Sequence, residues 1–192
     1  MKNKGESMKT LVVVDAQNDF ISGSLACQGS ESALENIVKL IENDPDMAVV
    51  YTADWHSKSN ESFKENGGIW PVHCVENTEG AALYKGFYEL TRKDAHPNES
   101  NVFKKGKRDD VEEYSGCRAM NEKGDVLEET VKGDILVAGF ASEYCVRETL
   151  LGLAEKGYSV ALYLPGVAYV DRKDHEKNIE DLEAKGFRLI KE

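Results

Sequence analysis

The sequence lacks closely paired cysteines and any long apolar run. These absences argue against a disulfide-stabilised secreted protein and against a membrane-spanning protein. Its four cysteines are Cys27, Cys74, Cys117 and Cys145, and none of them forms a Cys-x-x-Cys pair. We therefore expect free thiols in a reducing cytoplasm rather than a disulfide framework. No segment has the charged start and apolar core of a signal peptide, and no apolar run could span a bilayer, so no membrane partner is expected.

Basic residues are also in deficit. The chain has 24 Lys and Arg against 35 Asp and Glu, which gives a formal net charge of −11. This balance argues against a nucleic acid or an anionic membrane surface as partner. An acidic surface keeps monomers apart without forbidding a specific interface, so a homo-oligomer stays open.

The length of 192 residues suffices for one sizeable core and is short for two. We therefore predict a single domain over residues 8–192. Residues 1–7 are polar and precede a second methionine, Met8, so we interpret them as a disordered leader or an alternative start.

Apolar, β-branched runs alternate with helical patterns along the chain. Leu34, Ile37, Val38 and Ile41, for example, recur at the spacing of one helix face. Continuous apolar strands between helices are typical of a parallel sheet that is covered on both faces. We predict an α/β fold: one doubly wound domain with a mainly parallel six-stranded sheet and helices on both faces. The predicted strands are residues 10–14, 47–51, 101–105, 134–140, 158–164 and 187–190.

Polar residues stand where four of these strands end. Asp15 ends the first strand, Asp54 and His56 follow the second, Lys105 closes the third, and Cys145 follows the fourth. The carboxyl ends of parallel strands meet at one edge, where such folds bind their ligands. Each residue alone has a plainer interpretation: a loop cap, a member of a solvated basic cluster, or an ordinary loop histidine. Their coincidence at one edge favours a functional site, and the long loop-rich excursion over residues 57–100 supports it.

Cys145 is predicted to lie in the first turn of a helix, over residues 145–156, that follows a buried strand. The positive end of the helix dipole lowers the pKa of a thiol and favours the reactive thiolate. A buried structural cysteine is the alternative, because free cysteines are among the most buried residues.

The pattern Asp54-x-His56 resembles half of a metal site. In an extended chain these side chains point to the same side, while Trp55 points away. His73 is the obvious third ligand, and Cys74 beside it is interpreted as a small buried residue. Two histidines and one carboxylate suit Zn, Mn or Fe(II) better than Ca or Mg.

The loop motifs, taken in order, resemble a known family. From about Leu11 to Gly157 the chain is similar to the nicotinamidase/pyrazinamidase branch of the isochorismatase-like cysteine hydrolases. The matching motifs are DAQNDF at 15–20, GSLA at 23–26, DWH at 54–56, SF at 62–63, WPVHCV at 70–75, TEGA at 78–81, KG at 105–106, YSG at 114–116 and GFASEYCV at 139–146.

The resemblance implies a covalent amide hydrolysis. Cys145 as thiolate attacks the carboxamide carbon of nicotinamide, Lys105 holds the thiolate charge, and Asp15 carries the thiol proton to the leaving ammonia. Water then hydrolyses the thioester with the same carboxylate as base. Backbone N–H groups of Ala141 and Cys145 form the oxyanion hole, beside a cis peptide bond at Phe140–Ala141.

The resemblance also implies a divalent metal ion. Zn is the expected metal, and Mn or Fe are the alternatives. Asp54, His56 and His73 hold this ion, which binds the pyridine nitrogen, and Phe20 and Trp70 are the aromatic walls around the ring. The substrates are then nicotinamide and pyrazinamide, and the pathway is NAD salvage.

The chain departs from the family pattern at several positions. Asn60 replaces a histidine that is a fourth metal ligand in many bacterial members, so Glu61, Glu65 or water is left to complete the metal's coordination. The other departures are Gly116 and Cys117 in the pocket wall, Ser142 and Glu143 before the cysteine, and Pro165 where an aspartate commonly ends the fifth strand.

Three alternatives stay open. A related amidohydrolase acting on another small amide would need no metal to orient a ring. A non-catalytic ligand-binding protein that kept the fold is disfavoured because Asp15, Lys105 and Cys145 are all present. A thiol-redox protein is disfavoured because no resolving cysteine neighbours Cys145 in the sequence.

Overall fold

Six strands form one sheet that is parallel throughout, in the order β3-β2-β1-β4-β5-β6. The structure is a computed structural model that describes residues 9–192; the predictions for residues 1–7 and Met8 lie outside the described residues. The α/β fold and the strand number are confirmed. The strands are β1 Lys9–Val14, β2 Ala48–Asp54, β3 Val102–Lys105, β4 Asp134–Gly139, β5 Val160–Val167 and β6 Arg188–Ile190.

Helices cover both faces of the sheet. The side chains of β1 point alternately into the two hydrophobic cores that lie between the sheet and these helices. Leu11 and Val13 pack in the cluster that contains the buried face of α2, while Val12 and Val14 pack in the cluster that contains α4 and α5. All four side chains are fully buried, as expected for a central parallel strand. The helices are α1 Asn18–Ile21, α2 Ser30–Asn43, α3 Leu127–Thr130, α4 Arg147–Glu155 and α5 Arg172–Ala184.

The excursion over residues 57–100 contains three short 3-10 helices, as its loop-rich composition predicted. They are Lys64–Asn66, Lys85–Tyr88 and Lys93–Ala95. Asp19 ties this excursion to α1, since its Oδ2 accepts a 2.7 Å hydrogen bond from the backbone N–H of Cys74. Cys74 is buried, in agreement with its interpretation as a small core residue.

The segment that carries Cys145 differs from the prediction. A π-helical turn, Ser142–Val146, precedes α4, which begins only at Arg147. The N–H of Val146 donates to the carbonyl of Ala141 five residues back, at 3.1 Å. Cys145 therefore lies in a widened turn before the α-helix rather than in its first turn.

The fifth strand also differs from the prediction. Pro165 lies inside β5, which continues to Val167, so Pro165 does not end the strand. The pairing of β4 with β5 shifts between Val137 and Gly139, and such an irregularity accommodates a residue that lacks a backbone N–H. In the described part of the chain, no helix combines the length and apolar character needed to cross a bilayer.

Candidate active site

Asp15, Lys105 and Cys145 meet at the carboxyl edge of the sheet. The Nζ atom of Lys105 lies 2.9 Å from Asp15 Oδ2 and 3.4 Å from Cys145 Sγ. Relative exposures of 0%, 3% and 5% for Asp15, Lys105 and Cys145 mean that all three are enclosed by protein. Three residues from different strands thus converge as the parallel topology predicted.

The backbone around Asp15 fixes the direction of its carboxylate. Asp15 has a left-handed backbone, with φ of +46°, and its N–H donates to the carbonyl of Thr52 at 3.2 Å. The hydroxyl of Thr52 donates to Asp15 Oδ1 at 2.6 Å. One carboxylate oxygen is therefore held by β2, and the other faces Lys105.

Asp54, His56 and His73 form a second cluster next to the first. One ligand atom from each lies within 4.8 Å of the others. The Nε2 atoms of His56 and His73 face the carboxylate of Asp54, at 3.7 and 4.0 Å. Their Nδ1 atoms are bound to the carbonyls of Gly106 and Pro71, at 2.9 and 2.8 Å, which orients Nε2 for a metal. This donor set fits a divalent cation.

Asn60 does not occupy a ligand position. It is buried, and its side-chain amide donates to the carbonyl of Gly106 at 3.3 Å, the same carbonyl that orients His56. Glu61 and Glu65 are exposed and lie outside the cluster that the described residues form. Neither glutamate therefore replaces the missing histidine in this arrangement.

Lys105 joins the two clusters, a link that the sequence did not reveal. Its Nζ atom contacts Asp54 Oδ1 at 2.5 Å and donates to the carbonyl of Glu113 at 3.2 Å. Gln17 is a second unpredicted element, since its side-chain amide accepts from the N–H of Asp54 and donates to the carbonyl of Asp54, both at 2.8 Å. The sequence feature that could have identified Gln17 is its place in the DAQNDF motif at 15–20.

Burial dominates the electrostatics of Cys145. Burial raises the pKa of its thiol well above the usual range, Lys105 opposes the shift, and the negative charges of Asp15 and Asp54 add to it. The direction of this shift is opposite to the one expected from a helix terminus, since Cys145 is buried and lies in the π-helical turn before α4. Burial therefore favours the thiol over the thiolate.

The charged neighbours of Cys145 complete a proton-accepting arrangement. Burial raises the pKa of Asp15, with Lys105 opposing the shift. Burial by itself lowers the pKa of Lys105, but Asp15 and Asp54 hold it well above the usual range. Lys105 thus stays cationic, while Asp15 has a raised pKa suited to taking a proton from a thiol.

An aromatic cavity opens onto both clusters. Phe20 and Trp70 line it together with His73 and Cys145. The edge of Trp70 packs on Tyr144 at a ring distance of 4.9 Å. Sequence reasoning missed the other lining residues, which are Leu25, Glu112, Tyr114, Tyr144 and Val170. For Tyr144, the sequence feature that could have predicted a place in the cavity is its position directly before Cys145.

Ala141 also lines this cavity, as does Cys145. The peptide bond between Phe140 and Ala141 is cis, as the resemblance implied. Ser142 follows, and its N–H donates to the carbonyl of Ala168 at 2.8 Å, so the start of the π-helical turn is fixed to the loop after β5.

Comparisons with known proteins agree with this geometry. The chain matches the Isochorismatase domain over residues 9–191. It is 32% identical to the nicotinamidase of Saccharomyces cerevisiae, with 82% of this chain and 86% of that protein covered. It is similar to the pyrazinamidase of Pyrococcus horikoshii in complex with zinc, at 29% identity and a TM-score of 0.79 over 96% of this chain and 99% of that one. PnC1 from L. infantum, in complex with nicotinate, is similar at 28% identity and a TM-score of 0.82 over 97% of this chain and 94% of that one.

Proposed function

Since the chain belongs to the isochorismatase family, with nicotinamidases among its relatives, we propose that it is an amidohydrolase that converts nicotinamide to nicotinate and ammonia in NAD salvage. One observation carries this proposal. The Nζ atom of Lys105 contacts the thiol of Cys145 and the carboxylates of Asp15 and Asp54. The nucleophile and two residues of the metal cluster, Asp54 and His73, line one aromatic cavity, and the ammonium of Lys105 joins them to the proton acceptor.

The first half of the reaction follows from these contacts. Asp15 takes the proton of the Cys145 thiol, and the thiolate sulfur forms a bond to the carboxamide carbon. The N–H groups of Ala141 and Cys145 stabilise the negative oxygen of the tetrahedral intermediate. Asp15 then returns the proton to the nitrogen as the C–N bond breaks, and ammonia leaves.

The second half of the reaction, hydrolysis of the thioester, uses the same three side chains. The acyl group is held as a thioester on Cys145, and Asp15 accepts a proton from the attacking water. The C–S bond breaks, the acid leaves, and the sulfur recovers its proton. Lys105 stabilises the negative sulfur at both stages, since its ammonium is in contact with it.

The metal site serves substrate orientation in this proposal. Asp54, His56 and His73 would hold the ion, and a bound ion offers a coordination position to the ring nitrogen of the substrate. Phe20 and Trp70 would flank that ring. Zinc is our first choice, with Mn and Fe(II) as alternatives, and the zinc complex of the related pyrazinamidase supports this choice.

The proposed setting is the cytoplasm. The four cysteines are free in this structure, which supports a reducing compartment. The proposed partner is a small neutral amide, and the net charge of −11 gives no support for binding to nucleic acid.

Ammonia release tests the proposal. We expect the purified protein to release ammonia from nicotinamide and pyrazinamide, and to act poorly on benzamide, which lacks the ring nitrogen. The matched control is Cys145→Ser. Equal turnover of benzamide and nicotinamide would favour a related amidohydrolase without ring orientation, and no turnover of any amide would contradict the proposal.

A further inference from the structure

Glu112 lies at the wall of the active-site cavity without a partner for its charge. It lines the same cavity as Cys145, Trp70 and His73. Its side chain is exposed, and its carboxylate makes no hydrogen bond or ion pair with the side chains and backbone of residues 9–192. Its neighbours differ: Glu113 accepts from the N–H of Gly106 at 2.9 Å, and Asp109 accepts from two serine hydroxyls.

Charged groups on both sides of the cavity act on Glu112. Burial raises the pKa of its carboxyl, and the negative charge of Asp54 raises it further. His56 and Lys105 oppose these shifts, and the ammonium of Lys105 is paired with Asp54 and Asp15 rather than with Glu112. Glu112 thus presents a solvated negative charge at the cavity wall, where it can act on whatever occupies the cavity.

The occupant changes its charge during the proposed reaction. The carboxamide that enters is neutral, and the carboxylic acid that leaves is ionised at neutral pH. A fixed negative charge on the cavity wall therefore acts differently on the two molecules. It leaves the neutral amide nearly unaffected and repels the anion.

We propose that Glu112 is a specificity-determining residue that discriminates against the anionic product and promotes its release. This inference rests on the proposed function only for the identity of the amide and acid. Like charges placed together in a binding site weaken association. For a partly exposed carboxylate we expect about a 3- to 10-fold effect on the dissociation constant of the acid, since solvent screens part of the repulsion.

The test compares Glu112→Gln with Asp110→Asn, using the full chain with its bound metal. Asp110 lies on the same loop, its side chain is 77% exposed, and it does not line this cavity. Binding of nicotinate and of nicotinamide is measured by calorimetry for both variants and the wild-type position, each in a Cys145→Ser background, so that nicotinamide is not consumed during the titration. We expect Glu112→Gln to tighten nicotinate about 3- to 10-fold, nicotinamide to change by a smaller factor, and Asp110→Asn to leave the ratio of the two constants as in the wild type.

Each outcome decides the inference. An unchanged ratio in Glu112→Gln overturns it, and so does a loss of bound metal in that variant, because Glu112 would then act as a ligand. A shifted ratio, with a wild-type protein that does not hydrolyse nicotinamide, supports the discrimination and contradicts the proposed function. If neither compound binds the wild type, both proposals are wrong.

Discussion

The ammonium of Lys105 lies 2.5 Å from Asp54 Oδ1, so the cation beside the nucleophile is also bound to a metal-cluster carboxylate. Its contact with Cys145 Sγ, at 3.4 Å, is longer. The charge at the metal cluster and the charge at the sulfur are therefore coupled through one side chain. A change at either cluster should alter the other.

Replacement of Cys145 by serine should abolish hydrolysis while the protein still binds nicotinamide. A hydroxyl is a far weaker nucleophile at neutral pH, and we expect a loss of about 10³-fold or more in ammonia release. Bound metal and melting temperature should match the wild type, which controls for folding. Turnover close to the wild-type rate would rule out the covalent mechanism.

Replacement of Lys105 by alanine should raise the pKa of Cys145 further. The nearby cation lowers this pKa, so its loss disfavours the thiolate, and alkylation by iodoacetamide should need a higher pH. The matched control is Lys104→Ala, since Lys104 lies over the ring of Trp55 instead. A pH profile of alkylation identical in wild type and Lys105→Ala would mean that Lys105 does not act on the sulfur.

Replacement of Thr52 by valine should impair proton transfer by Asp15. The hydroxyl of Thr52 lowers the pKa of Asp15, so its loss should raise that pKa and move the acidic limb of the pH–rate profile to higher pH. We expect kcat to fall about 10-fold and the free energy of unfolding to fall by about 1–3 kcal/mol, because a buried acceptor loses its donor. Thr52→Ser keeps the hydroxyl and should restore the profile; failure to do so would contradict this role.

Removal of the metal should lower stability as well as activity. A metal that binds only the folded chain adds about 2.7 kcal/mol when its free concentration is 100 times Kd. Chelation, Asp54→Ala and His73→Ala should therefore all lower the melting temperature, with zinc restoring it only in the chelated wild type. Metal content by mass spectrometry gives the direct readout.

The control for metal removal is His96→Gln. His96 is bound to the carbonyl of Leu90 and lies outside the cluster formed by the described residues. This variant should keep its metal. A wild type that contains no metal and keeps full activity in strong chelator would favour a plain cysteine amidohydrolase.

The sequence alone determined the sheet and the residues at its edge. Strand composition is local, and a parallel topology brings strand ends together whatever the details of packing, so Asp15, Lys105 and Cys145 could be grouped without coordinates. The pairing of Asp54 with His56 followed from the two-residue period of an extended chain. The loop motifs carried the family resemblance.

Tertiary structure decided the charge state and the contacts of the site. The raised pKa of Cys145 results from burial, which depends on atoms contributed by many segments, whereas its sequence position predicted a lowered pKa. The bond of Asn60 to Gly106 and the place of Glu112 in the cavity wall were set by the paths of loops. Such loops lack the periodicity that makes strands and helices predictable, because long-range packing fixes their backbone.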